Sequence, residues 1–260
     1  MPFFASKTCP NPAAATAVLA ADFARWLGGT RGRVNVALSG GRTPALFFAA
    51  LAASAFRALP WRNVHFFWAD ERWVPHDSPE SNFGNAWRLF FAPAGIPMPQ
   101  IHPMLGVCGG PAGEIPAAAV DFSLFPEGEW AAALAAAAGY SGRLRTELPM
   151  AEDGCPVFDL ILLGMGADGH TASLFPGAPP DPGREPCAAV RHPATGATRL
   201  TLTLPVLNRA RQVVFLVTGA DKRATLREMR RHPASSPMPA VAVRPFSGAP
   251  AWYLDAAAEG

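Results

Sequence analysis

The spacing of hydrophobic and polar residues along the chain predicts an alternation of helices and strands. Near the N-terminus, five apolar side chains fall on one face of a 3.6-residue period, which predicts a helix over residues 13–27 that ends at Gly28 and Gly29. These side chains are Val18, Leu19, Phe23, Trp26 and Leu27. Further helical patterns cover residues 45–53, 129–140 and 220–231, and the second of these is rich in alanine, which suits a close-packed helix.

Short apolar runs that end in small or charged residues predict buried strands at residues 33–38, 64–69, 158–164, 199–205 and 212–219. Because these strands alternate with helices, we predict an α/β fold with a mainly parallel central sheet. Proline and glycine are dense over residues 91–127 and 176–186, and there we expect long surface loops rather than a domain boundary. A length of 260 residues suits one large domain or two small ones.

The net charge and its distribution limit the kinds of ligand or partner that the chain is expected to bind. The net charge of +2 arises from 22 basic and 20 acidic residues that are spread without long blocks of one sign. We therefore expect no extended surface for nucleic acid or an acidic membrane, and any anionic ligand to be small and locally bound.

The cysteines and the apolar segments indicate the compartment. Four cysteines lie far apart without a CxxC pair, so we predict reduced thiols in a cytoplasmic protein; they are Cys9, Cys108, Cys155 and Cys187. The N-terminal apolar run contains Asp22 and Arg25, and no uninterrupted apolar stretch reaches about 18 residues. We expect neither export nor membrane insertion.

The segment LILLGMGADGHTASLFPG, residues 160–177, has glycines in the spacing of a dinucleotide-binding loop. Such a loop needs a helix after its third glycine and a second strand that ends in an acidic residue, whereas here a proline-rich segment follows. We interpret the glycines instead as a sharp turn that exposes Asp168 and His170 after a buried strand. His170 is then a candidate general base, with Asp168 to fix its tautomer or raise its basicity.

For four of the other histidines the sequence favours structural roles. For His65, His76, His192 and His232 we expect ordinary hydrogen bonding. No second histidine lies four residues from His170 and no cysteine is close to it in sequence, so a metal site there has little support.

Two clusters after other predicted strands complete the candidate chemistry. SGGRTP, residues 39–44, combines hydroxyls, glycine N–H groups and a following helix N-terminus, which suits binding of a phosphate. The segment lacks the Gly-Lys-Ser/Thr ending of a Walker A loop. A purely structural turn is the alternative. Arg199 and Lys222 lie where they could complete this phosphate site, and Lys222 is one of only two lysines. DERWVP, residues 70–75, followed by Ser81 and Asn82, adds carboxylates, a guanidinium and an amide, with a capped turn carrying surface ion pairs as the alternative.

Taken together and in order, these segments resemble the 6-phosphogluconolactonases, within the wider group that includes glucosamine-6-phosphate deaminases. The resemblance covers nearly the whole chain through LSGGRTP, FFWADERWVPHDSPESNFGNAWRLF, IHPM, FDLILLGMGADGHTASLFPG, RLTLTLPVLNRARQVVFLVTGADKRATL and PAVAVRPFSGAPAWYLDAAA. The deaminases usually carry NEP where this chain has LFP, and a tyrosine in place of Arg72.

The resemblance implies a modified Rossmann-like parallel sheet in a single domain, residues 1–260, without cofactor or metal. The implied reaction is hydrolysis of 6-phosphoglucono-δ-lactone to 6-phosphogluconate, the second step of the oxidative pentose phosphate pathway. We expect a small sugar phosphate as partner, no nucleic acid or membrane, and a monomer or weak dimer.

Carried over by residue, the resemblance makes His170 the general base beside Asp168, and it places Asp70, Arg72 and Asn82 along the sugar pocket. The implied phosphate-binding residues are Ser39, Gly40, Gly41, Thr43, Arg199 and Lys222. Arg42 departs from the serine more frequent in the family and either contacts phosphate or points to solvent; residues 101–127 are also atypical. An oxyanion would be stabilised by Arg72 or by N–H groups of the glycine turn.

Two rival functions stay open at this stage. An amino-sugar phosphate isomerase or deaminase would use the same phosphate site but abstract a carbon-bound proton. A non-enzymatic sugar-phosphate sensor would usually carry a DNA-binding helix-turn-helix, for which we expect no room in the short N-terminal segment.

Overall fold

The computed structural model of the chain describes residues 3–56, 58–107, 114–120, 122–124, 128–177, 185–233, 236–246 and 248–260. Among these residues, no helix is both long enough and apolar enough to cross a membrane. Cys108, parts of the predicted loop at 91–127 and the middle of the proline-rich segment at 176–186 lie outside the described residues. Cys9, Cys155 and Cys187 are free thiols.

The strands of the described chain form two sheets. They are β1 (Lys7–Cys9), β2 (Val34–Leu38), β3 (Val64–Trp68), β4 (Asp70–Arg72), β5 (Ile101–His102), β6 (Leu160–Leu163), β7 (Cys187–Arg191), β8 (Thr198–Leu202), β9 (Val213–Val217) and β10 (Ala251–Asp255). The central sheet is parallel throughout, in the order β1-β10-β9-β6-β2-β3-β5. Every residue of β2, β6 and β9 is buried, as expected for strands covered on both faces. The predicted parallel sheet is confirmed.

The second sheet is antiparallel, in the order β4-β8-β7, and it corrects the end of one predicted strand. The predicted strand at 199–205 belongs to this sheet as β8 and ends at Leu202, because Thr203 is the N-cap of the next helix. The first three residues of the charged cluster at 70–75 are themselves a strand, β4. Strands β1, β5, β7 and β10 were not predicted; β1 and β5 span only three and two residues and lack a long apolar run.

The predicted helices are confirmed and several short ones are added. The α-helices are α1 (Pro12–Gly28), α2 (Arg42–Leu51), α3 (Asn82–Ala86), α4 (Ala92–Ala94), α5 (Glu129–Glu147), α6 (Leu204–Arg209), α7 (Arg223–Arg231), α8 (Pro239–Ala242) and α9 (Ala256–Glu259). A π-helical turn, Trp87–Phe91, joins α3 to α4. Short 3₁₀ turns cover Ser54–Phe56, Trp61–Asn63, Met98–Gln100, Phe122–Leu124 and Ala220–Lys222.

Helix α1 begins where the Asn11 side chain accepts a hydrogen bond from the N–H of Ala14, 2.9 Å away, and it buries the predicted apolar face.

The alanine-rich α5 links the two sheets. Its Tyr140 hydroxyl accepts from the N–H of Trp68 in β3 at 3.0 Å, and its Ser141 hydroxyl accepts from the N–H of Cys187 in β7 at 3.0 Å. The second sheet is thereby held next to the end of β3.

Candidate active site

Four neighbouring strands of the central sheet, β9, β6, β2 and β3, end at one edge because they run in the same direction. Ligands of open parallel sheets bind at this carboxyl edge. The residues that follow β2, β6 and β9, together with side chains of β4 and β8, line a cleft of about 480 Å³ there.

The cleft gathers all but two of the predicted site residues. The side chains or backbone that line it are Ser39, Gly40, Gly41, Arg42, Thr43, Asp70, Arg72, His170, Arg199 and Lys222. Asp168 lies next to the cleft, bonded to His170. Asn82 is not among the residues that line the cleft: it is 1% exposed, and its amide donates to the carbonyl of Asp70 at 2.8 Å.

His170 and Asp168 form a short hydrogen-bonded pair. His170 Nδ1 lies 2.6 Å from Asp168 Oδ1, which also accepts from the backbone N–H of His170 at 3.2 Å. Burial raises the pKa of Asp168, but these hydrogen bonds outweigh it and hold the pKa below its usual value. The carboxylate therefore fixes a proton on Nδ1 and leaves Nε2 as the basic nitrogen.

The glycine turn that carries this pair is fixed at several points. The N–H of Gly166 donates to the carbonyl of His170 at 2.9 Å, the hydroxyl of Thr171 donates to the carbonyl of Gly164 at 2.8 Å, and the N–H of Ala240 donates to the carbonyl of Gly169 at 3.1 Å. Ala172, which lines the cleft, has φ of 49°, a left-handed conformation rare for a residue with a side chain. Holding His170 at the cleft therefore costs conformational energy in this turn.

The start of α2 has the features of an anion site. Its N-cap is Gly41, with φ of 110° and no side-chain cap, so the N–H groups of its first turn lack a side-chain acceptor. The Ser39 hydroxyl next to it is buried and makes no hydrogen bond with any residue that the structure describes. Thr43 Oγ1 lies 2.7 Å from Thr218 Oγ1, which joins this helix start to the end of β9.

Two arginines lie opposite each other on neighbouring strands of the second sheet. Arg72 and Arg199 are register partners in β4 and β8, and both line the cleft. The Nε of each is buried and has no hydrogen-bond partner within the part of the chain that the structure describes. Burial and the charge of Arg72 lower the pKa of Arg199. Directly opposed like charges are unfavourable in a sheet, so an anion between them would relieve the cost. Lys222 adds a further cation, paired with Asp221 at 3.0 Å.

A buried carboxylate supports the Asp70 side of the cleft. Glu71 accepts hydrogen bonds from the backbone N–H groups of Arg72, Asn82 and Phe83 at 2.7–2.8 Å. Burial raises the pKa of Glu71 to about 7 despite these donors. Glu71 thus anchors the start of α3, including Asn82, against β4.

Sequence reasoning missed three residues of this arrangement. Thr218 follows β9 in the way that Ser39 follows β2, so its position at a strand end could have identified it. Asp221 and Ser173 carried no comparable signal: Ser173 Oγ donates to Asp70 Oδ2 at 3.0 Å across 103 positions of sequence.

Comparisons with known proteins agree with this arrangement. A family model described as glucosamine-6-phosphate isomerases/6-phosphogluconolactonase matches residues 10–252. The chain belongs to this family. The chain is similar to the 6-phosphogluconolactonase of Synechocystis sp., with 41% identity over 227 residues that cover 86% of this chain and 83% of the relative. It is also similar to that of Haemophilus influenzae, with 35% identity over 228 residues that cover 86% of each.

Family membership extends to the three-dimensional structure. The solved structure of 6-phosphogluconolactonase from Trypanosoma brucei superposes with a TM-score of 0.81 at 28% identity, and the match covers 99% of this chain and 97% of that one. The resemblance inferred from the sequence segments is therefore confirmed, and with it the α/β fold.

Proposed function

We propose that this chain hydrolyses 6-phosphoglucono-1,5-lactone to 6-phosphogluconate, the second step of the oxidative pentose phosphate pathway, with His170 as general base. The observation that carries the proposal is the Asp168–His170 pair at the rim of a cleft lined with cations. Membership of a family whose similar relatives are named 6-phosphogluconolactonases supports the same reaction.

The phosphate of the substrate is held at the start of α2. The N–H groups of its first turn and the unpartnered Ser39 hydroxyl are oriented donors, and Lys222 and Arg199 supply charge. Binding energy from this non-reacting phosphate keeps the lactone carbonyl near His170. Arg42 lies at the same helix start and lines the cleft, within reach of the phosphate.

The hydrolysis needs a base, an oxyanion donor and an acid. His170 Nε2 takes a proton from water as the water oxygen attacks the lactone carbonyl, and the carbonyl oxygen becomes an oxyanion. Arg72 or an N–H of the glycine turn stabilises this charge. When the C–O bond to the ring oxygen breaks, His170 returns its proton to that oxygen. General acid–base help of this kind contributes about 10²- to 10⁴-fold in rate, and one oxyanion donor adds about 10²- to 10³-fold.

The test couples glucose-6-phosphate oxidation to 6-phosphogluconate dehydrogenase and follows the second NADPH signal, with an enzyme-free control because the lactone hydrolyses spontaneously. We expect His170→Ala to lower kcat by about 10²-fold or more, and Lys222→Ala chiefly to raise KM. His192→Ala is the matched control, because His192 contacts the same Phe175 ring as His170 but does not line the cleft.

Two outcomes would contradict the proposal in different ways. An unchanged kcat in His170→Ala would remove the assignment of the base and leave the reaction standing. Wild-type traces equal to the enzyme-free control would remove the reaction itself, and release of ammonia from glucosamine 6-phosphate would then identify the deaminase activity.

A further inference from the structure

Two histidines and a glutamate meet at the outer edge of the described part of the central sheet, where β5 pairs with β3. His65 is the second residue of β3, His102 is the last residue of β5, and Glu147 is the last residue of α5. One potential ligand atom from each of the three side chains lies within 4.8 Å of the others. None of the three residues lines the cleft, so this cluster is separate from it.

The distances are close to those of a metal centre. His65 Nδ1 lies 3.0 Å from His102 Nε2. Tetrahedral zinc with Zn–N bonds of about 2.0–2.1 Å holds two nitrogens about 3.3 Å apart, so the two rings need to separate by only about 0.3 Å. Glu147 Oε2 accepts from Arg33 at 2.8 Å, and Oε1 is the oxygen that remains to complete the set.

A structural hydrogen bond does not account fully for the two rings. His102 is 4% exposed and stacks on Phe67 with ring centroids 4.3 Å apart, and its Nδ1 is buried without a hydrogen-bond partner among the described residues. Buried polar atoms normally have partners, so the placement of this ring in the core requires a further reason.

We propose that His65, His102 and Glu147 bind a divalent transition-metal cation of the Zn²⁺ type. Two imidazoles and one carboxylate form a ligand set that zinc prefers, and water would fill a fourth position. The cation would fasten the two-residue edge strand β5 to β3 and to the end of α5. Its role is to stabilise this edge of the sheet, and it takes no part in the hydrolysis proposed above.

The first experiment is calorimetric titration of the chelator-treated full chain with Zn²⁺. We expect one equivalent to bind to the wild type, with at least 100-fold weaker binding in His65→Asn and at least tenfold weaker binding in Glu147→Gln, since even outer partners of metal ligands contribute about 10- to 100-fold. The matched control is His232→Ala, because His232 is an exposed histidine 3.9 Å from Glu228 and outside the cluster. This control should bind Zn²⁺ as the wild type does.

A gain of affinity provides a second, independent readout. The guanidinium of Arg33 pairs with Glu147 and repels a cation, so Arg33→Met should bind Zn²⁺ about fivefold more tightly, the upper range for loss of one surface ion pair. Circular dichroism and lactone hydrolysis of each variant report whether the fold is retained.

Three results would overturn the proposal. The first is no binding by the wild type, and the second is undiminished binding in both His65→Asn and Glu147→Gln. The third is binding that His170→Asn abolishes while His65→Asn retains it, which would place the cation at the cleft.

Discussion

Gly166 provides a direct test of how closely the glycine turn positions the Asp168–His170 pair. An ideal Cβ at this position would lie 2.1 Å from His170 Nδ1, 2.2 Å from His170 Cε1 and 2.5 Å from Asp168 Oδ1. Because nonbonded heavy atoms settle near 3.5 Å, Gly166→Ala must displace the pair by roughly 1 Å or more. A misplacement of about 1 Å at a reacting group costs about 10²-fold in rate, so kcat should fall about 100-fold, equivalent to about 3 kcal/mol of barrier.

The matched control for this change is Gly164→Ala. Gly164 lines the same cleft in the same turn, but a Cβ there meets nothing within 4 Å, and neither glycine has a positive φ. Initial rates in the coupled assay, with thermal unfolding in parallel, compare the two variants with the wild type. KM should change little in either, because the phosphate is held elsewhere. A folded Gly166→Ala enzyme with kcat within about threefold of Gly164→Ala would refute the claim that the pair needs this position.

Two further predictions concern stability. Gly84→Ala should lower the melting temperature markedly, because its Cβ would lie 1.9 Å from the backbone oxygen of His76. Gly139→Ala in α5 has open space at its Cβ and should stabilise the chain by about 1 kcal/mol. Equal effects of the two substitutions would contradict the packing described. Burial raises the pKa of Glu71 from 4.5 to about 7. Between these two pH values the native state binds more protons than the unfolded chain. The contribution of Glu71 to stability therefore falls as pH rises, by on the order of 3 kcal/mol. Urea unfolding at about pH 5 and about pH 8 should therefore show the wild type losing stability relative to Glu71→Gln at the higher pH, and a constant difference would contradict the raised pKa.

The carboxyl-edge part of the site could be predicted because it depends on local patterns. Each buried strand is a continuous apolar run, and parallel strands bring whatever follows them to one edge, so Ser39, His170 and Lys222 could be placed together from sequence order alone. The same logic would have added Thr218.

The rest of the site depends on pairings that are distant in sequence. Arg72 and Arg199 face each other only because β4 and β8 pair across more than a hundred residues, and neither strand has an alternation that specifies its partner. Asn82 donates its amide to Asp70 because Glu71 accepts from the N–H of Asn82 and holds the start of α3 there, a contact between residues that no local pattern predicts. His65 and His102 meet through a two-residue edge strand that no apolar pattern indicates.

The cleft concentrates unfavourable features that a phosphate-bearing ligand would relieve. Two guanidinium groups oppose each other, the Ser39 hydroxyl is buried without a partner, and the start of α2 has no side-chain cap. Each costs stability in the ligand-free protein, while the extensive aromatic core elsewhere offsets that cost. An anion satisfies all three at once, so its binding energy comes largely from groups that the fold has already desolvated and oriented. The Asp168–His170 pair, by contrast, is already hydrogen-bonded without ligand. Under the proposed function, affinity and proton transfer would reside in different residues of the cleft, and substitutions at Lys222 and at His170 should then separate into effects on KM and on kcat.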